Sequence, residues 1–252
     1  MKPKVKFKIE KLEEYLPILK EFILGLDSWR DKIFSIYPSL KKRLENSKNP
    51  EKEIESFFMK QEKKFDLVFE KVKKDFQSSW NKNNNELMDA LAQINEISWP
   101  EKMQEFKARI TLNPICPRYL DSNTFDLYFG LADRTMKTIV LHELSHFIFF
   151  EKIKEIYPDI NEKEFEAPNL IWKLSEIIPW VVLNDERIRK ILDLQDSAIV
   201  YEDIQKLEIN GKRILKIFEE FYDSKKDFSD FLVKSLDFVK EHEKQIVCVK
   251  NI

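Results

Sequence analysis

Thr138 to Phe150 read TIVLHELSHFIFF, which sets two imidazoles and a carboxylate in an otherwise almost wholly apolar run. On an α-helix, residues four apart project within about 40° of each other and lie about 6 Å apart along the axis. His142 and His146 therefore share a face and can grip one metal ion. Glu143, directly after the first histidine, can reach a water at that ion without being a ligand. Ile139, Val140, Leu141, Leu144, Phe147, Ile148, Phe149 and Phe150 make the helix apolar on nearly every side, which predicts a core helix. Buried polar groups are costly without partners, and a bound metal accounts for three of them together. With 3 histidines and 45 acids in 252 residues, random placement gives H-E-x-x-H with a probability under about one in a hundred. A core helix whose histidines bond neighbouring carbonyls would explain the burial but not the pattern.

A catalytic zinc takes three protein ligands and leaves a fourth position open, so one more must come from elsewhere. The histidine-ligand metzincin class requires a glycine at position 149 and a histidine at 152; the chain has Phe149 and Lys152. His242, about a hundred residues downstream, continues an apolar helical spacing and reads as a packing residue. Glu151, Glu155, Glu162, Glu164 and Glu166 stand in charged, solvated surroundings. Glu176 differs, being the one acid in LIWKLSEIIPWVVL, residues 170–183. A carboxylate there must be neutral, paired or on a metal, and Pro179 is placed to kink the helix that aims it. Pairing with Lys173 or a distant arginine is the competing explanation, and Glu186, in a polar run, is the next candidate ligand.

With His142, Glu143 and His146 on one helix and Glu176 on a second, residues 105–185 resemble the gluzincins, the zinc-peptidase group that includes thermolysin-like enzymes. The resemblance implies one Zn²⁺ on His142, His146 and Glu176, with Glu143 as general base in the hydrolysis of peptide or protein substrates. It also implies a small β-sheet before the active-site helix, with residues 108–112 and 125–129 as candidates. Several gluzincins carry a histidine-orienting acid four residues after the glutamate ligand. That position is Trp180, which leaves Asn184, Asp185 or another region to substitute. Tyr201, Tyr222 and His242 are candidates for oxyanion stabilisation, each with a structural reading beside it. The missing acid keeps a second function in view: a catalytically inactive or latent zinc-binding regulatory or interaction protein.

The rest of the chain predicts an α+β fold, predominantly helical. Only 3 glycines, with abundant Lys, Glu, Leu and Ile, favour helices over many tight turns. Residues 2–9 alternate lysine with Val5, Phe7 and Ile9, the period of a half-buried strand. Apolar spacings predict helices over 12–22, from Ile33, over 51–80 and up to about Asn95. The two strand candidates and the N-terminal strand are expected to form a small antiparallel sheet. Asn169 is expected to cap a helix through Asn184, with helical stretches near 185–195, 203–222 and 228–243 and a short strand at 246–249. Two regions follow: 1–104, mainly helical, and 105–252, zincin-like. A net charge of −2 with interspersed charges gives no footprint for nucleic acid. Cys116 and Cys248 form no disulfide framework, the N-terminal MKPKVKFKIEKLEEYL has no apolar core of signal-peptide length, and no stretch has the length of a membrane span. The expected location is cytoplasmic.

Overall fold

The computed structural model describes residues 2–25, 27–195 and 202–247. In chain order, β1 (Lys4–Ile9) precedes helices α1 (Leu12–Gly25), α2 (Asp27–Ile36), α3 (Pro38–Glu45), α4 (Pro50–Asn81) and α5 (Asn84–Ile94). Strands β2 (Glu105–Thr111), β3 (Arg118–Tyr119) and β4 (Thr124–Tyr128) come next, then α6 (Asp133–Ile156), α7 (Leu170–Asn184) and α8 (Glu186–Leu192). The last stretch holds α9 (Glu202–Lys206), β5 (Glu208–Ile209), β6 (Lys212–Arg213), α10 (Ile214–Asp223), α11 (Phe228–Glu241) and α12 (Glu243–Val247). The class is α+β and predominantly helical, as composition and periodicity predict. The residues fall into two compact units, one of 3–84 with 105–140 and the other of 1–2, 85–104 and 141–252.

The first unit is built on a four-stranded sheet in the order β1-β2-β4-β3. It is mixed and not antiparallel as expected: β1 pairs with β2, and β2 with β4, in parallel, and β3 alone runs antiparallel to β4. Alternating burial reports which face a residue occupies and is silent on strand direction. Direction follows from the connections. The link from β1 to β2 carries α1 to α5, and the link from β2 to β4 spans 112–123, each long enough for the crossover that parallel neighbours require. Val5 and Phe7 are buried on one face of β1 while its lysines face solvent. The outer edge of β1 is closed by side chains. The Phe7 amide donates to Gln77 Oε1 and Gln77 Nε2 donates to the Val5 carbonyl, both at 3.0 Å. That cover removes an edge open to strand addition. At the end of β2, Tyr37 donates to the Leu112 carbonyl at 2.8 Å and the Leu112 amide donates to the Tyr15 hydroxyl at 3.3 Å.

The second unit packs the remainder of α6 with α7, α10 and α11. Along α6, Leu141, Leu144, Phe147, Ile148, Phe149 and Ile153 are fully buried, each contributing roughly 1.5–3 kcal/mol. A phenylalanine cluster, Phe218, Phe228 and Phe231, joins α10 to α11 through edge-on and tilted rings. Glu96, in the left-handed region at φ 49°, accepts Lys152 Nζ on its carbonyl at 3.2 Å and the Phe228 amide on its carboxylate at 3.0 Å. Two local expectations are corrected here. Residues 203–222 are not one helix, because Asn210 and Gly211 at φ 53° and 76° turn the β5–β6 hairpin, the backbone that Asn-Gly favours. The strand expected at 246–249 is helical through Val247, where Ile246 is buried against the unit; residues 248 and 249, and with them Cys248, lie outside the described residues. No helix among the described residues is long and apolar enough to cross a membrane.

One ionic cluster in the sheet has a measurable consequence. Asp126, fully buried, accepts Arg109 Nε at 2.6 Å and faces the Tyr119 hydroxyl at 3.4 Å, with the guanidinium over the Tyr119 ring. Burial pushes its carboxyl up from 3.8 to about 6, against the lowering effect of Arg109. A carboxyl whose pKa is higher folded than unfolded binds its proton more tightly in the native state. Its contribution is therefore complete below pH ~4 and lost as pH rises through ~6. Denaturant melts at pH 4 and pH 7 should show Asp126→Asn removing up to about 3 kcal/mol of that pH-dependent loss, whatever its effect on absolute stability.

Candidate metal centre

The site lies within the second unit, on α6 and α7. One turn of α6 carries His142 and His146 in register. Their rings cross at 80° with centroids 4.6 Å apart and Nε2 atoms 3.0 Å apart. Helix α7 brings Glu176 to the same point. Its Oε2 is 3.3 Å from His142 Nε2, and its Oε1 is 3.6 Å from His146 Nε2. Ligand atoms about 2.0–2.1 Å from a tetrahedral zinc stand roughly 3.3 Å from one another. The three measured separations bracket that value, so the donor set fits one small divalent ion. The described residues hold this one group of three or more such side chains with ligand atoms that close, all within 4.8 Å.

Burial makes the arrangement consequential. His146 has no exposed side-chain surface and Glu176 has 3%, while His142 retains 16%. Removing a carboxylate from water costs several kcal/mol unless a positive group replaces the solvent, and a dication does so. Packing fixes the ring of His146. Phe150, one turn on, stacks nearly parallel to it at 6.4 Å, and Phe165 stacks on Phe150 at 4.5 Å. Glu143 is also buried, at 6% exposure. Helical geometry sets it about 60° around the axis from His146, beside the ligand face and off it.

The remaining sequence candidates are placed elsewhere. Glu151, Glu155 and Glu162 form ion pairs with Lys102, Lys152 and Lys154 respectively. Glu166 and Glu186 are exposed. His242 ends α11, with Nδ1 3.0 Å from the Phe238 carbonyl and Nε2 3.4 Å from Asn210 Nδ2, so it is not the third ligand. Lys173, 2% exposed, donates to the Ile246 carbonyl at 3.4 Å. Asn184 donates to the Trp180 carbonyl and receives Arg189. Asp185 caps α8 and binds Arg187 and the Tyr222 hydroxyl at 2.7 Å, contacts that hold its carboxyl below the usual range despite desolvation. Tyr222 is thereby committed to Asp185, and Tyr201 lies outside the described residues. Asn169 does precede α7, but its side chain reaches back to the Lys163 carbonyl and does not cap the helix. Trp180, one turn past Glu176, donates its indole N–H to Glu219 at 3.0 Å; sequence reading gave no hint of that partner, 39 residues away.

The chain matches no protein-family model, no curated protein and no solved structure, so functional inference rests on the chemistry of the site.

Titration with Zn²⁺ or Co²⁺ should give one ion per chain. Glu176→Ala and His146→Ala should each weaken binding by roughly 100-fold or more, while Glu186→Ala and His242→Ala leave it unchanged. Affinity should fall with acidification, as protons compete for the imidazoles and the carboxylate.

Proposed function

We propose that the chain is a zinc-dependent metallopeptidase of the gluzincin type, hydrolysing peptide bonds in a peptide or protein substrate. The observation that carries this reading is the convergence of His142, His146 and Glu176 from two helices onto one point, with Glu143, itself buried, directly after His142 on α6. Two histidines and a glutamate are a donor set found in catalytic zinc sites, which keep a coordination position open, whereas structural sites are closed by four ligands. Of the three, His142 alone keeps appreciable exposure to solvent, at 16% of its side chain.

Held by His142, His146 and Glu176, a zinc ion would supply Lewis acidity toward a carbonyl and make a water acidic near neutral pH. The remaining chemistry belongs to the chain. The Glu143 carboxylate accepts the proton of the attacking water and passes it to the departing amine. His146, wedged by Phe150, holds its ring direction through the cycle, and Glu176 contributes a negative charge that keeps the ligand set charge-matched to a dication. The apolar surroundings of α6 and α7 strengthen each of these charge interactions by excluding water.

A second reading has its own observation. The position one turn beyond Glu176 holds an indole bound to Glu219, and an indole has no acceptor with which to orient a histidine N–H. A site so built can hold zinc in a latent or catalytically inactive regulatory or interaction protein.

Glu143→Gln separates the two. It should retain one zinc per chain and lower hydrolysis of a mixed peptide library by about 10²–10⁴-fold, and chelation should abolish the wild-type activity. Zinc-loaded wild-type protein that cuts no peptide would leave the second reading standing, and a fully active Glu143→Gln variant would sink the assigned role.

A further inference from the structure

The solvent face of the four-stranded sheet, in the first unit, carries a charge pattern that the fold does not use. Register places Lys4, Lys6 and Lys8 of β1 beside Glu105, Lys107 and Arg109 of β2. Residues paired in register share a face, and this face is the one opposite the buried Val5, Phe7 and Ala108. Lys4, Lys6, Lys8 and Lys107 are exposed on it. Along the chain they alternate with apolar residues and fall in two segments about a hundred residues apart. They leave no basic run in the sequence, and the sheet gathers them.

Two registers set like charges side by side, Lys6 with Lys107 and Lys8 with Arg109. Cations directly opposite each other destabilise a sheet, and the carboxylates present do not balance them. Glu105 pairs with Lys6, and that bond, with smaller pulls from Lys8 and Lys107, holds its carboxyl below the usual range. Asp126 and Glu10 are both taken by Arg109, at 2.6 and 3.8 Å. Lys4, Lys8 and Lys107 form no ion pair among the described residues. Protection of a sheet edge does not account for them. The edge of β1 is already closed by Gln77 and Asn84, which accept the Phe7 and Val5 amides at 3.0 and 3.4 Å, and Lys107 lies on an inner strand.

The spacing indicates what would balance these cations. Lys4 and Lys8 stand about 13 Å apart along β1, with Lys107 between them on the next strand about 4.8 Å away. That spread suits a chain of anionic groups better than one small anion. An aromatic group completes the face. Tyr119 of β3 pairs in register with Thr124, and Thr124 with Lys107. Tyr119 is half-buried, with the Arg109 guanidinium 4.3 Å over its ring. Single-stranded nucleic acid uses both features, its phosphates on cations and its bases on aromatic or guanidinium planes. An acidic peptide would use the cations alone. A membrane surface would call for apolar side chains, and the exposed large ones, Leu24, Ile36, Met59, Leu67 and Val68, all stand on helices.

We propose that the solvent face of the sheet is a docking surface for single-stranded nucleic acid. Lys4, Lys8 and Lys107 take backbone phosphates, and the stacked Tyr119 and Arg109 take a base. The surface shares no residue with the metal triad and holds whether or not the chain cleaves peptides.

The probe is a fluorescein-labelled thymidine decamer, its binding to the full chain followed by anisotropy over a tenfold range of salt. Three phosphates neutralised on a single strand give a slope of log affinity against log salt of about −2. Lys4→Gln, Lys8→Gln and Lys107→Gln together should remove most of that slope and weaken binding about 10-fold or more at low salt. The same change of charge on α4, by Lys60→Gln, Lys63→Gln and Lys71→Gln, should leave both unchanged. An abasic decamer, which keeps the phosphates and lacks the bases, should bind about 5-fold or more weakly, and Tyr119→Leu should narrow that gap while Tyr119→Phe preserves it. Relief of like-charge contacts should leave the triple sheet variant at least as stable to denaturant as the wild type. A less stable variant would show that the lysines serve the fold and would overturn the proposal. Equal binding of the abasic decamer or of a decaglutamate peptide, an equal loss in the α4 variant, capture by phosphatidylserine vesicles in place of the decamer, or no binding at low salt would each overturn it as well.

Discussion

Desolvation of one carboxylate governs how this protein has to be built. Glu176 sits in a helix whose other side chains are mostly aliphatic or aromatic and mostly buried, where a bare negative charge is several kcal/mol unfavourable. Two imidazoles meet it from α6, and a dication at the point where the three converge would offset its charge. The apolar character of both helices anchors the three side chains to core elements and lowers the local dielectric in which they interact.

The packing around the triad serves the same end. Phe150 and Phe165 form a stacked wall behind His146, so the ring that is fully buried is also the one held by aromatic contacts. His142 is the partly exposed member of the triad. One and two turns past Glu176 on α7, Trp180 and Asn184 are tied to α10 and α8 through Glu219 and Arg189.

Where sequence reading succeeded and where it failed follow from the range of the interactions involved. Helical periodicity is local, so α1, α4, α6, α7 and α11 were recoverable from spacing alone, and the isolation of Glu176 among apolar residues marked it without knowledge of its neighbours. Strand direction is not local. Val5, Phe7, Ala108 and Ile110 alternate in the same way whether their strands run parallel or antiparallel, and the mixed sheet was misread as antiparallel for that reason. The β5–β6 hairpin was a different kind of failure, because its signal was present. Asn210-Gly211 is the strongest short-range hairpin dipeptide, and the amphipathic spacing of the surrounding residues concealed it. At the C-terminus, the β-branched pair Ile246-Val247 suggested a strand, but docking of α12 onto α7 overrode that propensity.

The chain alone specified two imidazoles and a carboxylate on one core helix, because residues one and four apart on a helix have no freedom in their relative direction. It also nominated a third ligand, because an acid in an apolar run needs a reason to be there. Tertiary structure was needed to bring Glu176 within 3.3 and 3.6 Å of the two imidazoles, since no sequence spacing fixes the meeting of side chains 30 or more residues apart. It was needed equally to remove His242 and Asp185 from contention, by engaging His242 with Asn210 and Phe238, and Asp185 with Arg187 and Tyr222. Local geometry supplies the parts of a metal site, and long-range packing selects which of them meet.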